Sequence, residues 1–80
     1  MAQNQPEEGG MKIIYSPATD VMRIIFRDVP VDDYNEEQPG IKMDYDLDDQ
    51  LVAIEIHKAS TLMDDPRVLD HQILPSDFGS

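Results

Sequence analysis

The strongest constraint on the fold is an alternation of apolar and polar residues that recurs in four stretches between residues 11 and 57. Successive side chains of an extended strand point to opposite sides, so a period of two predicts strands with one buried face. The predicted strands are 11–16, 21–27, 41–46 and 51–57. On one face they collect twelve apolar or aromatic residues: Met11, Ile13, Tyr15, Met22, Ile24, Phe26, Ile41, Met43, Tyr45, Val52, Ile54 and Ile56.

The opposite face of the predicted strands is mixed and holds four of the six basic residues. Lysine or arginine is expected to pair across strands with Asp44 and Glu55, and such a pair contributes about 0.2–1 kcal/mol. Pro17 and its small polar neighbours predict a turn between the first two strands. The pattern therefore predicts a mainly β fold, on the border of the α+β class, in which two hairpins form a four-stranded antiparallel sheet.

The remaining segments predict connections and ends. Residues 28–40 contain two prolines, a glycine and five acidic residues, which favours a loop with a short extended piece at 29–31. Residues 59–73 predict a short C-terminal helical segment, with Ser60 as a cap and Asp65-Pro66 as a restart. Residues 1–10 are expected to form a flexible extension and residues 75–80 a loose end, which leaves a single domain over 11–74.

The predicted apolar face needs a cover, because a single layer of sheet leaves that face in water. A chain of 80 residues buries only about 60% of the surface that its unfolded form exposes, so its own core is small. Two covers are open at this point: the C-terminal helical segment, or the same face of a second copy. Chain length and the size of the face together favour a homodimer.

Seventeen acidic residues against six basic ones give the chain a net charge of −11. Such a chain offers no basic surface to phosphate groups, so neither nucleic acid nor an anionic membrane is an expected partner. The sequence contains no cysteine, no signal-peptide pattern and no apolar run near the ~20 residues of a membrane span. These features favour a cytoplasmic protein. The expected partner is a basic protein, contacted through four acids of the loop: Asp32, Asp33, Glu36 and Glu37.

The run from Asp44 to Glu55 fits two structural interpretations. Its acidic residues follow the spacing of a calcium loop, with ligands at the first, third, fifth and twelfth positions. An EF-hand is disfavoured, because Asp49 stands where such a loop needs glycine and the flanks alternate like strands. A hairpin turn is therefore predicted, and weak calcium binding by Asp46, Asp48 and Asp49 is the alternative function. No other cofactor is expected.

The pattern lacks a catalytic constellation. Serine and threonine residues have no nearby base and orienting group, and the carboxylates crowd into predicted turns instead of a cleft. His57 and His71 are too few to suggest a zinc site. We therefore expect a non-enzymatic interaction module.

Two blocks of residues resemble the pattern of a known family. The first is a Met-Lys-Ile strand ending in tyrosine, then a proline turn, an aspartate and a second strand: Met11, Lys12, Ile13, Tyr15, Pro17, Asp20, Met22, Ile24 and Phe26. The second is a Pro-Gly pair, an Asp-Tyr-Asp strand end and a Leu-Val-x-Ile-Glu-Ile strand before Ala-Ser: Pro39, Gly40, Ile41, Met43, Asp44, Tyr45, Asp46, Leu51, Val52, Ile54, Glu55, Ile56, Ala59 and Ser60. On these residues, 11–62 is similar to the domain of unknown function 2283 family (DUF2283) of small bacterial proteins.

The resemblance implies a β-rich fold, no established activity, and an antitoxin-type role beside a toxin-like protein. One residue departs from the family pattern, because Asp49 stands at a turn position where the family has glycine. The position is expected to need a positive φ angle, which aspartate tolerates less readily than glycine. We therefore expect modest strain, or a bound cation, at this turn.

Overall fold

Five strands, one more than the sequence predicts, pair side by side in a computed structural model that describes residues 10–75. Strand β1 spans Lys12–Ser16, β2 Val21–Ile25, β3 Asp33–Gln38, β4 Ile41–Tyr45 and β5 Leu51–His57. Their order is β1-β2-β5-β4-β3, and every neighbouring pair is antiparallel. The prediction of a mainly β fold is confirmed, and the count of four strands is wrong. The predicted extension and loose end lie outside the described residues, apart from Gly10 and Pro75.

The register of the strands groups the predicted apolar residues on one side of the sheet. Ile13 lies opposite Ile24, Ile24 opposite Ile54, and Ile54 opposite Met43, so a row of apolar side chains crosses four strands. Directly opposite residues of an antiparallel pair share a face. We call this side the apolar face, and none of its residues in strands β1, β2, β4 and β5 is charged: Ile13, Tyr15, Met22, Ile24, Ile41, Met43, Tyr45, Val52, Ile54 and Ile56.

Strand β5 lies at the centre of the sheet and holds the most buried side chains. Val52, on the apolar face, is 2% exposed, and Ala53, on the opposite face, is fully buried. Met22 and Ala59 complete the buried apolar residues of the described part of the chain. The core that one chain forms alone is therefore small.

The acidic segment predicted as a loop contains strand β3, so that prediction is corrected. A tight turn at Pro39-Gly40 reverses the chain, and Gly40 has a φ angle of +85°, which suits the third position of a type II turn. All six residues of β3 are exposed, so no apolar alternation marks the strand in the sequence. Glu37 is the extra residue of a bulge, since the register shifts between Glu36 and Gln38. The extended piece expected at 29–31 is not a strand.

The predicted C-terminal helical segment is corrected to a single 3-10 turn at Ala59–Thr61. Helices shorter than about 12 residues are marginal in water unless an apolar stripe packs against the protein. Asp65 instead accepts the backbone amide of Arg67 at 3.0 Å, which closes a local turn. No helix within residues 10–75 combines the length and apolar character that crossing a membrane requires.

Residues 62–75, here called the C-terminal segment, leave most of their large apolar side chains in solvent, although Met63 is half-buried. The exposed fraction runs from 59% at Leu62 to 83% at Ile73. The segment passes strand β1, where a groove of about 650 Å³ is lined by Met11, Ile13 and residues 69–72. The segment that was one of the two expected covers therefore does not close the apolar face of its own chain.

Candidate functional site

The side of the sheet opposite the apolar face, here called the charged face, carries an ion pair that spans the central strand. Nη2 of Arg23 on β2 donates to Oδ2 of Asp44 on β4 at 3.0 Å, and strand β5 lies between them. Asp44 is 3% exposed and is the buried charged residue of the described part of the chain. Ala53 lies opposite Asp44, and its small methyl group leaves room for the Arg23 side chain to cross β5.

A second group on the charged face joins strands β3, β4 and β5. Lys42 Nζ lies 3.7 Å from one carboxylate oxygen of Glu55, and the other oxygen lies 2.8 Å from Nε2 of His57. Lys42 Nζ also lies 4.8 Å from the centroid of the Tyr34 ring, within cation–π range. The predicted pairing of basic residues with Asp44 and Glu55 is thus confirmed. Lys42, Glu55 and His57 are partly exposed, so the Lys42–Glu55 pair stabilises the fold by at most about 1 kcal/mol.

Asp46 holds the turn between β4 and β5. Its Oδ1 accepts the backbone amides of Asp48 and Gln50, both at 2.9 Å, and its Oδ2 accepts Nη2 of Arg27 at 2.7 Å. The Gln50 amide, followed by the Arg27 guanidinium, holds the pKa of the Asp46 carboxyl below its ordinary range. Both carboxylate oxygens are therefore engaged in hydrogen bonds within the chain.

The geometry of this turn gives no support to the calcium alternative. Within residues 10–75, no three His, Asp or Glu side chains converge in a way that would hold a metal ion. A cation would also compete with Arg27 and two amides for the Asp46 carboxylate. The φ angle of Asp49 is +66°, which confirms the predicted positive angle. Calcium binding by Asp46, Asp48 and Asp49 stays a prediction.

Asp20 anchors the chain after β5 to the turn between β1 and β2. Its Oδ1 accepts the Tyr15 hydroxyl at 2.7 Å and the Ser60 amide at 3.0 Å, and its Oδ2 accepts the Ser60 hydroxyl at 2.6 Å. These donors, the Ser60 hydroxyl foremost, hold the pKa of the Asp20 carboxyl below its ordinary range. The hydrogen bond that the Tyr15 hydroxyl donates to Asp20 raises the pKa of Tyr15. These hydrogen bonds tie Ser60, in the 3-10 turn, to the turn between β1 and β2, and we call this cluster the Asp20 anchor.

Sequence reasoning assigned no role to this anchor. Asp20 and Ser60 are 40 positions apart, and their contact depends on the pairing of β2 with β5. A signal was nevertheless present, because Tyr15, Asp20 and Ser60 all belong to the pattern by which the chain resembles its family. The Arg27–Asp46 pair was likewise not foreseen, since Arg27 lies two residues beyond the end of β2.

The four acids predicted to contact a partner lie on or beside the edge strand β3. Asp32 precedes the strand, and Asp33, Glu36 and Glu37 lie within it; all four are exposed. They do not form one patch, because Asp33 is on the side of the apolar face whereas Glu36 lies opposite Lys42 on the charged face. This edge of the sheet is therefore negative on both sides.

Replacing Ala53 with leucine is expected to destabilise the fold by about 1–3 kcal/mol, because the larger side chain overfills the path of Arg23 to Asp44. Urea unfolding at one fixed protein concentration measures the change. Lys12→Leu is the matched control, because Lys12 lies in the same cross-strand row as Ala53 but is exposed on the edge strand β1. This control variant should change the free energy of unfolding by about 0.5 kcal/mol or less. Equal stability of Ala53→Leu and the native chain would contradict the packing described.

Ser60→Ala is expected to raise the pKa of Asp20 toward its ordinary value, because the hydroxyl donor is removed. A carboxyl with a depressed folded-state pKa stabilises the fold above its unfolded pKa of about 4, and that stabilisation is lost as pH falls through the folded-state pKa. The variant should therefore lose less stability than the native chain on acidification.

Carbon NMR titration of the Asp20 carboxyl measures this shift directly. Thr61→Ala is the control, because the Thr61 hydroxyl donates to the Lys58 carbonyl and not to Asp20. If the Asp20 carboxyl titrated at the same pH in Ser60→Ala as in the native chain, the hydrogen bond from Ser60 to Asp20 would be ruled out.

The part of the chain that holds all five strands matches the model of a known protein family. The family model described as "Protein of unknown function (DUF2283)" matches residues 12–60, more than half of the chain. The match begins at the first residue of β1 and ends at Ser60, so it also includes the Asp20–Ser60 anchor. No curated protein and no solved structure matches the chain. On the family match, the chain belongs to the DUF2283 family, as its sequence pattern predicted.

Proposed function

We propose that the protein is a small acidic interaction module that binds a basic protein without catalysis, along strand β3. One observation carries the proposal: β3 is the outermost strand, and all six of its residues are exposed. Three of the six are acidic, and Asp32 adds a fourth acid immediately before the strand. Charge complementarity of this kind speeds and selects encounters with a positively charged partner.

The backbone of β3 supports the same proposal. Among the described residues only one side of the strand is paired, with β4, so the N–H and C=O groups on the other side lack a strand partner there. An extended segment of a partner adds to such an edge through main-chain hydrogen bonds. Lysine or arginine at alternating positions of that segment meets Asp33 on one side of the sheet and Glu36 on the other.

We propose further that the protein works as a homodimer in the bacterial cytoplasm, with a toxin-like basic protein as its partner and an antitoxin-type role. The small core of one chain supports the homodimer. The absence of cysteine fits a reducing compartment, and the net charge of −11 disfavours nucleic acid as a partner.

Neutralising the edge tests this function. In the edge variant Asp32 and Asp33 become asparagine and Glu36 and Glu37 become glutamine. The matched control neutralises four exposed acids elsewhere, and it has the same net charge: Asp48, Asp49, Asp64 and Asp70, each to asparagine. Affinity for basic proteins captured from a bacterial lysate should fall about tenfold in the edge variant and little in the control, because four rim charges of a few tenths of a kcal/mol each are lost.

The captured proteins are identified by mass spectrometry, and the binding of each is measured at low and high salt. Binding should weaken as salt rises, because the proposed contacts are exposed charges. Capture that is equal for the two variants, or a lysate that yields no basic protein, would refute the proposal.

A further inference from the structure

We infer that two copies of the chain pack their apolar faces together, and that the C-terminal segment of each copy lies on the apolar face of its partner. The inference rests on the homodimer of the proposed function and specifies how that homodimer is built. It commits to a second copy of this chain as the occupant of the face.

The apolar face is open and matches itself. Ile13, Ile24, Ile41, Ile54 and Ile56 are only half-buried in a single chain. Strands β1, β2, β4 and β5 place no charged side chain on this face, so a second copy buries no unpaired charge against it. A charged partner surface would suffer that cost.

The size of the face shows why the sheet alone is not enough. Strands about 4.8 Å apart with a rise of about 3.3 Å per residue give the four strands of the apolar face, at five residues each, a flat footprint on the order of 300 Å². A standard interface buries about 800 Å² on each partner. Further apolar surface is needed, and the C-terminal segment supplies it through Leu62, Val68, Leu69, Ile73 and Leu74, which are all more than half exposed.

The C-terminal segment is placed where it can reach a partner. It starts after the 3-10 turn at Ala59–Thr61, which the hydrogen bonds of Ser60 to Asp20 tie to the turn between β1 and β2. Residues 69–72 then line a groove with Met11 and Ile13 at the other end of β1. The segment therefore follows the rim of the apolar face, with its own apolar side chains pointing into solvent.

The proposed dimer and the binding of a basic protein are expected to depend on salt in opposite ways, because of the chain's charge. Each copy carries a net charge of −11, so two copies repel one another until salt screens the charges over about 8–10 Å. The dimer should become tighter as salt rises, whereas binding at the β3 edge becomes weaker. Failure of one proposal is thus distinguishable from failure of the other.

Sedimentation equilibrium of two matched variants tests the role of the segment. Ile73 and Leu47 are 83% and 85% exposed, so replacing either with aspartate adds the same charge without disturbing the sheet of one chain. The dissociation constant of the dimer should rise at least about tenfold for Ile73→Asp, since burial of one large aliphatic side chain is worth at least that factor. It should stay unchanged for Leu47→Asp, at the tip of the β4–β5 turn.

A spin label then locates the segment. Because the chain has no cysteine, Ile73→Cys provides a single labelling position. Spin-labelled chain is mixed with nitrogen-15-labelled native chain, so any loss of amide signal arises between copies. Loss of signal at residues 52–56 of central strand β5 is expected. A monomeric mass at all concentrations, equal effects of the two aspartate variants, or signal loss confined to β1 would each overturn the inference.

Discussion

A sheet one layer thick must cover or charge each of its two faces, and the two faces of this protein meet that requirement differently. On the charged face, Arg23 reaches across β5 to the buried Asp44, so the one buried carboxylate of the described residues is paired within the chain. Within residues 10–75 the apolar face has no cover, since most large apolar side chains of the C-terminal segment lie in solvent. The need for a second layer on that face therefore follows from the sheet itself.

The edges of the sheet explain how association stays specific. An unpaired edge strand pairs readily with another chain, and proteins limit this with charges and bulges. Strand β3 has both, because Glu37 is bulged and the strand carries acids on both sides. Two copies repel at this edge, whereas a basic segment is attracted to it. Self-association through the face and partner binding through the edge are thus compatible in one small sheet.

The sequence predicted those features of the fold that depend on local patterns. Period-two alternation identified four strands and their apolar side, and the turn at Asp49 was predicted with its positive φ angle. Strand β3 was not predicted, because an exposed edge strand needs no apolar residues and so shows no alternation. Only its turn was marked in the sequence, by Pro39-Gly40. The prediction of a C-terminal helical segment was wrong, because a capping residue and a proline cannot stabilise a short helix whose apolar side packs against nothing. The Asp20 anchor required the pairing of β2 with β5, which no local pattern encodes.

The most direct test of the second layer is the midpoint of thermal unfolding measured over a hundredfold range of protein concentration. A dimer that closes the apolar face unfolds as it dissociates, so mass action raises the midpoint by roughly 5–10 °C over that range. A midpoint that does not change with concentration, for a species with the mass of one chain, would contradict the requirement for a second copy.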